Sequence, residues 1–71
     1  MAEHNLKALG ENIRRQRHSL DLSQEEFAHR ANIDRSYVGQ IERGERNISF
    51  RNLCKIAEAL GISVSALAEG V

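Results

Sequence analysis

One local pattern recurs in this chain: an apolar residue, then Ser or Asp, then a second apolar residue four positions beyond it. It occurs at Leu22-Ser23-Phe27, Ile33-Asp34-Val38, Ile48-Ser49-Leu53 and Ile62-Ser63-Leu67. The Ser or Asp oxygen accepts an amide that the first helical turn leaves unpaired, and the flanking apolar pair closes over the turn as a hydrophobic staple. The pattern therefore predicts four helix starts. At the first of them Glu26 stands three residues after Ser23 and completes a capping box, and the acids Glu25 and Glu26 suit the positive end of a helix.

The matching stop signals are Asn32, Gly44 and Gly61, residue types that accept a left-handed helix exit. Ahead of these segments, Leu6, Leu9, Ile13, Arg17 and Leu20 fall on one stripe at helical spacing and predict a first helix. The expected fold class is all-α, with five short helices over about 5–19, 23–31, 34–43, 49–60 and 63–68 in a single domain spanning 1–71. No strand alternation, repeat or flexible linker is visible. The second and third helices are joined by Asn32 and Ile33 alone, short enough to force a sharp angle between them. That is a helix-turn-helix.

On the third helix, a step of about 100° per residue from Arg35 places Ser36, Gly39, Gln40 and Arg43 with it within about 140° of arc, while Val38 and Ile41 lie opposite. The outer face thus carries Arg35, Ser36 and Gln40 around Gly39, which has no side chain to obstruct close approach. Arg suits bidentate contact with guanine O6 and N7, and Gln suits adenine N6 and N7. Tyr37 at the flank and Gln24 at the start of the second helix are placed for phosphate oxygens. Past the helix, Arg46 and Asn47 form a polar loop that either holds phosphate or sends Arg46 into an adjacent groove. The plainer reading is a solvated surface face. Such faces usually carry Lys and Glu, whereas this one carries Arg, Ser and Gln around a glycine, which favours double-stranded DNA read in the major groove.

Overall charge lends that reading no support. Ten basic and ten acidic residues give a formal net charge of zero, where DNA binders usually show a basic excess. The positions of the charges have to carry the case. One of them, Arg17, lies on the apolar stripe of the first helix. It either bridges to Glu42, at the edge of the buried face of the third helix, or snorkels outward. As bridge partners Arg17 and Glu42 are both structural groups; the outward reading takes Arg17 to solvent or to a phosphate.

At 71 residues with 41% hydrophobic content, the chain has a modest core that dimerisation would help to stabilise. Leu60, Ile62, Val64 and Leu67 either form a two-fold interface or only cap the monomer core; the first arrangement would set two third helices about one DNA turn, roughly 34 Å, apart. Cys54 beside Leu53 reads as a small core residue and cannot form an internal disulfide. His4, His18 and His29 lack ligand spacing, so neither a metal nor another cofactor is expected. Phe27, Phe50 and Tyr37 form no stacking platform for single strands. No nucleophile, base and oxyanion set can be assembled, which argues against an enzyme. No apolar run approaches the roughly 18 residues of a membrane span, and no secretory signal opens the chain, so the expected location is cytoplasmic. No small-molecule effector domain is evident.

The segment LSQEEFAHRANIDRSYVGQIERGERNISFRNLCKIAEALGIS resembles the Cro/CI-type (lambda-repressor-like, XRE) helix-turn-helix family, over roughly Leu6 to Leu67. Within it, DRSYVGQIERGERN looks most like the controller proteins of restriction-modification systems. The resemblance implies a homodimeric transcriptional regulator on a near-palindromic operator upstream of its own gene and an endonuclease gene. It also implies base contacts from Arg35, neighbouring contacts from Ser36 and Tyr37, and a contact from Arg46 outside the recognition helix. Arg17 and Glu42 match the family's buried ion pair. Asn32 departs from the glycine frequent in the turn, a replacement that Asn tolerates. Phage repressors and antitoxins share the pattern. An antitoxin usually needs an added toxin-binding segment, and little chain lies outside the five helices to supply one.

Overall fold

A computed structural model describes residues 3–71, as five helices in the order α1 (Glu3–Ser19), α2 (Gln24–Ala31), α3 (Arg35–Glu42), α4 (Phe50–Leu60) and α5 (Val64–Leu67). The all-α, five-helix architecture expected from the sequence is the one observed. Each of the four capped starts is built as its residues dictate. Ser23, Ser49 and Ser63 accept from the amides of Glu26, Asn52 and Ala66, and Asp34 accepts one residue earlier, from Ser36. A cap of this kind is worth about 1 kcal/mol. At α2 the box is reciprocal: the Ser23 backbone N–H donates to Glu26 Oε1 at 2.9 Å. That bond, followed by the one from the Ser23 hydroxyl, holds the Glu26 carboxyl below the usual carboxylate range.

The helix exits follow the same logic. Asn32, Gly44 and Gly61 all have positive φ (57°, 73° and 72°), and in each case the next amide reaches back to a carbonyl five residues earlier: Ile33 to Ala28, Glu45 to Gln40, Ile62 to Ala57. A fourth exit of this type was not expected. Asp21 takes φ 57°, and the Leu22 amide closes onto the Arg17 carbonyl at 3.2 Å. Because α1 ends at Ser19, Leu20 falls in this turn and not on the helical stripe; it is exposed, a correction to its expected place in the core.

The core lies where all five helices converge, with Leu9, Ile13, Phe27, Val38, Ile56 and Leu67 fully buried. The staple partners Phe27, Val38, Leu53 and Leu67 all belong to this cluster. Truncating Phe27 there would cost about 3–5 kcal/mol. Helix α1 lies directly against the end of α3 because Gly10 has no side chain: a Cβ at that position would meet the carbonyl oxygens of Ile41 and Glu42. At the far end of the fold, the Asn12 amide donates to the carbonyls of Leu67 (2.9 Å) and Glu69 (3.0 Å), so α1 also closes the end of α5.

The four positions expected at a dimer face divide. Leu60 and Leu67 are buried in the monomer's own core, whereas Ile62 and Val64 are half-buried. The short α5 hides more than its length suggested, because Leu67 inserts between α1 and α4. Cys54 is half-buried on α4 with a free thiol, outside the fully buried core where it was expected. Among the described residues no helix is long and apolar enough to cross a membrane.

Candidate nucleic-acid interface

Helix α3 is held from behind by one buried charge pair. Arg17 Nε donates to Glu42 Oε2 at 2.7 Å and Nη2 donates to Oε1 at 3.0 Å, while Nη1 donates to the Leu22 carbonyl at 2.7 Å. The bridge between α1 and α3 is thus the arrangement the chain adopts, and the outward-pointing alternative is not. A guanidinium and carboxylate taken out of water are tolerated only when their remaining hydrogen-bonding groups are also met. Gln24 contributes to this: its Nε2 donates to Glu42 Oε1 at 3.1 Å. Gln24, expected to face phosphate, is therefore half-buried with its amide committed to the ion pair.

The opposite side of α3 forms a ridge between two shallow grooves. On one side lie Ser23, Gln24, Glu25 and Arg35; on the other, Ser36, Tyr37, Gln40, Arg46 and Asn52. Arg35 and Ser36 are exposed at the start of the helix. Arg35 has no hydrogen-bond or ion-pair partner among the described residues. Asp34 beside it spends its carboxylate on the Ser36 amide at 3.0 Å. The helix start thus presents a long cation next to a hydroxyl, groups able to donate to base acceptors.

Tyr37, Gln40, Arg46 and Asn52 are joined to each other. Arg46 stacks over the Tyr37 ring with its guanidinium carbon 4.9 Å from the ring centroid, and its Nη1 donates to Gln40 Oε1 at 3.1 Å. Asn52 Nδ2 donates to the Tyr37 hydroxyl at 2.9 Å. Asn47 is exposed in the loop but lines neither groove. The partners of Tyr37 come from the loop and α4, so helical spacing alone offered no sign of them.

Gly39 and Arg43 differ from the expected outer face. Gly39 is buried, with a built Cβ only 3.1 Å from Arg43 Nη1 and 3.7 Å from Gln24 Oε1. It is a floor beneath those two side chains and not an open gap on the face. Arg43 in turn is paired with Glu45, through Nε to Oε2 at 2.9 Å and Nη2 to Oε1 at 3.1 Å. This hydrogen-bonded pair raises the Arg43 pKa and lowers that of Glu45. Glu45 carried no sequence signal: it lies two residues past Arg43 across a helix exit, where helical spacing ceases to apply.

Relatives of known type fit this geometry. The helix-turn-helix family profile HTH_3 matches residues 13–67. The control protein C.MunI of a Mycoplasma species is 53% identical over 47 residues, covering 66% of this chain and 64% of its own length. The immunity repressor of Bacillus phage phi105 is 42% identical over 59 residues, covering 83% of this chain and 41% of its own. The chain thus spans less than two-thirds of the length of either. The crystal structure of the restriction-modification controller C.AhdI from Aeromonas hydrophila superposes with a TM-score of 0.88 at 44% identity, covering 90% of this chain and 97% of that one. The match over most of the chain, with the turn, the capped third helix and the polar ridge described above, makes this chain a member of the helix-turn-helix family HTH_3.

Proposed function

We propose that this chain is a restriction-modification controller that binds a near-palindromic operator as a homodimer in the cytoplasm, with α3 in the major groove of each half-site. The observation that carries the reading is the α3 ridge: Arg35 and Ser36 stand exposed, and Arg35 is unpaired among the described residues. Likeness to C.MunI and C.AhdI supports the controller assignment. In this reading Arg35 takes a guanine edge, and Ser36 and Gln40 contact adjacent bases. Tyr37, Arg43, Arg46 and Asn47 hold the flanking backbone. Gln24 acts through Glu42, steadying the helix that carries Arg35. The homodimer face is centred on the half-buried Ile62 and Val64, with Leu60 and Leu67 beneath them.

The direct test is selection of bound duplexes from a random pool. The expected product is a pair of inverted half-sites about one helical turn apart. A single asymmetric site would contradict the homodimer, and no enrichment would contradict sequence-specific binding. A second reading, a phage-type repressor, draws on the likeness to the phi105 immunity repressor. Mapping the selected site decides between them: the controller reading places it upstream of the chain's own gene and an endonuclease gene.

A further inference from the structure

Asn52 has no part in the DNA contacts proposed above. It is the third residue of α4, and its backbone amide is satisfied by the Ser49 cap at 3.1 Å. Its side chain crosses to α3, where Nδ2 donates to the Tyr37 hydroxyl at 2.9 Å. The same tyrosine ring carries the Arg46 guanidinium, which is anchored to Gln40. Residues from α3, the following loop and α4 thus form one connected frame, with the phenol oxygen at its centre.

We propose that Asn52 is a positioning residue that sets the hydrogen-bonding sense of Tyr37, turning its hydroxyl outward as a donor to an acceptor on DNA. The inference rests on the DNA-binding reading above. A phenol has one hydrogen to donate and two lone pairs to accept with. Once the Asn52 N–H occupies a lone pair, the phenol hydrogen points elsewhere, and accepting that bond polarises the O–H into a stronger donor. The sense matters because phosphate oxygens only accept, as do guanine O6 and N7 and thymine O4. A tyrosine whose proton was spent on Asn52 would offer such an acceptor nothing.

The test uses Asn52→Asp, Asn52→Ala and Tyr37→Phe, with each Asn52 change repeated in the Tyr37→Phe background. A carboxylate at position 52 keeps the shape of the side chain but can only accept, so it draws the phenol proton inward. An acid also suits the first turn of a helix, and thermal melts confirm folding. Affinity is read by fluorescence anisotropy on the tightest duplex selected by the wild-type chain and on a random duplex. Asn52→Asp is expected to weaken binding about tenfold, and Asn52→Ala less. Most of each loss should vanish in the Tyr37→Phe background, where for Asn52→Asp only the repulsion of the added charge remains. Loss on both duplexes identifies a phosphate acceptor, and loss on the selected duplex alone identifies a base edge. Asn52→Asp binding as tightly as wild type, or losing as much with Phe as with Tyr at position 37, overturns the proposal. If the wild-type chain binds neither duplex, the DNA-binding reading itself falls and takes this inference with it.

Discussion

The Arg17 guanidinium and the Glu42 carboxylate meet through two hydrogen bonds of 2.7 and 3.0 Å, with side chains only 8% and 3% exposed. This pair joins α1 to the last turn of α3. Removing one partner strands a buried charge and exacts about 3–5 kcal/mol. Arg17→Met and Glu42→Leu should each lower stability by that much in urea titrations. The double substitution should recover most of the loss, because it leaves no buried charge behind. A double variant as unstable as the sum of the singles would show that packing, and not charge, governs this contact.

Glu45 restrains Arg43 on the face that carries Arg35. In the exposed pair, Arg43 donates twice to a carboxylate that would also repel phosphate. Glu45→Gln removes one negative charge and releases the guanidinium. Binding to random duplex DNA should tighten several-fold at low salt, and the gain should fade as salt rises. Stability should change little, since solvent-exposed ion pairs contribute little to folding. Unchanged affinity for DNA at low salt would place Arg43 outside the interface.

The capping box at α2 predicts an acid limb in stability. Glu26 titrates below its ordinary value because the folded state hydrogen-bonds its carboxylate. The unfolded chain therefore takes up this proton first as pH falls. The contribution is complete above the unfolded carboxylate value of about 4.3 and is lost as pH drops through the lower folded value. Denaturation midpoints followed downward from pH 6 should decline more steeply in the wild type than in Glu26→Gln. Parallel declines would mean that the box contributes nothing in solution.

The parts of this fold legible in the sequence are those set by neighbours in the chain. Ser23, Asp34, Ser49 and Ser63 each cap within three residues, and Asn32, Gly44 and Gly61 turn the chain where they stand. Arg17 was legible as well, because a charge on an apolar stripe requires a partner. What escaped depends on tertiary approach. The close contact at Gly10, the reach of Asn12 to the end of α5 and the bond from Asn52 to Tyr37 join residues remote in sequence. Asp21 takes a left-handed exit with no glycine to mark it. Leu60 and Leu67 were apolar by type, but only the packed helices decide which way such residues face.

The central claim is that the exposed start of α3 reads DNA sequence, and one titration tests it most directly. Wild-type and Arg35→Ala chains are titrated by anisotropy against the selected duplex and against a random one at the same salt. A bidentate base contact predicts a loss of about 1–3 kcal/mol on the selected duplex and a much smaller loss on the random one. Equal losses on both duplexes would reduce Arg35 to a phosphate contact and contradict the account.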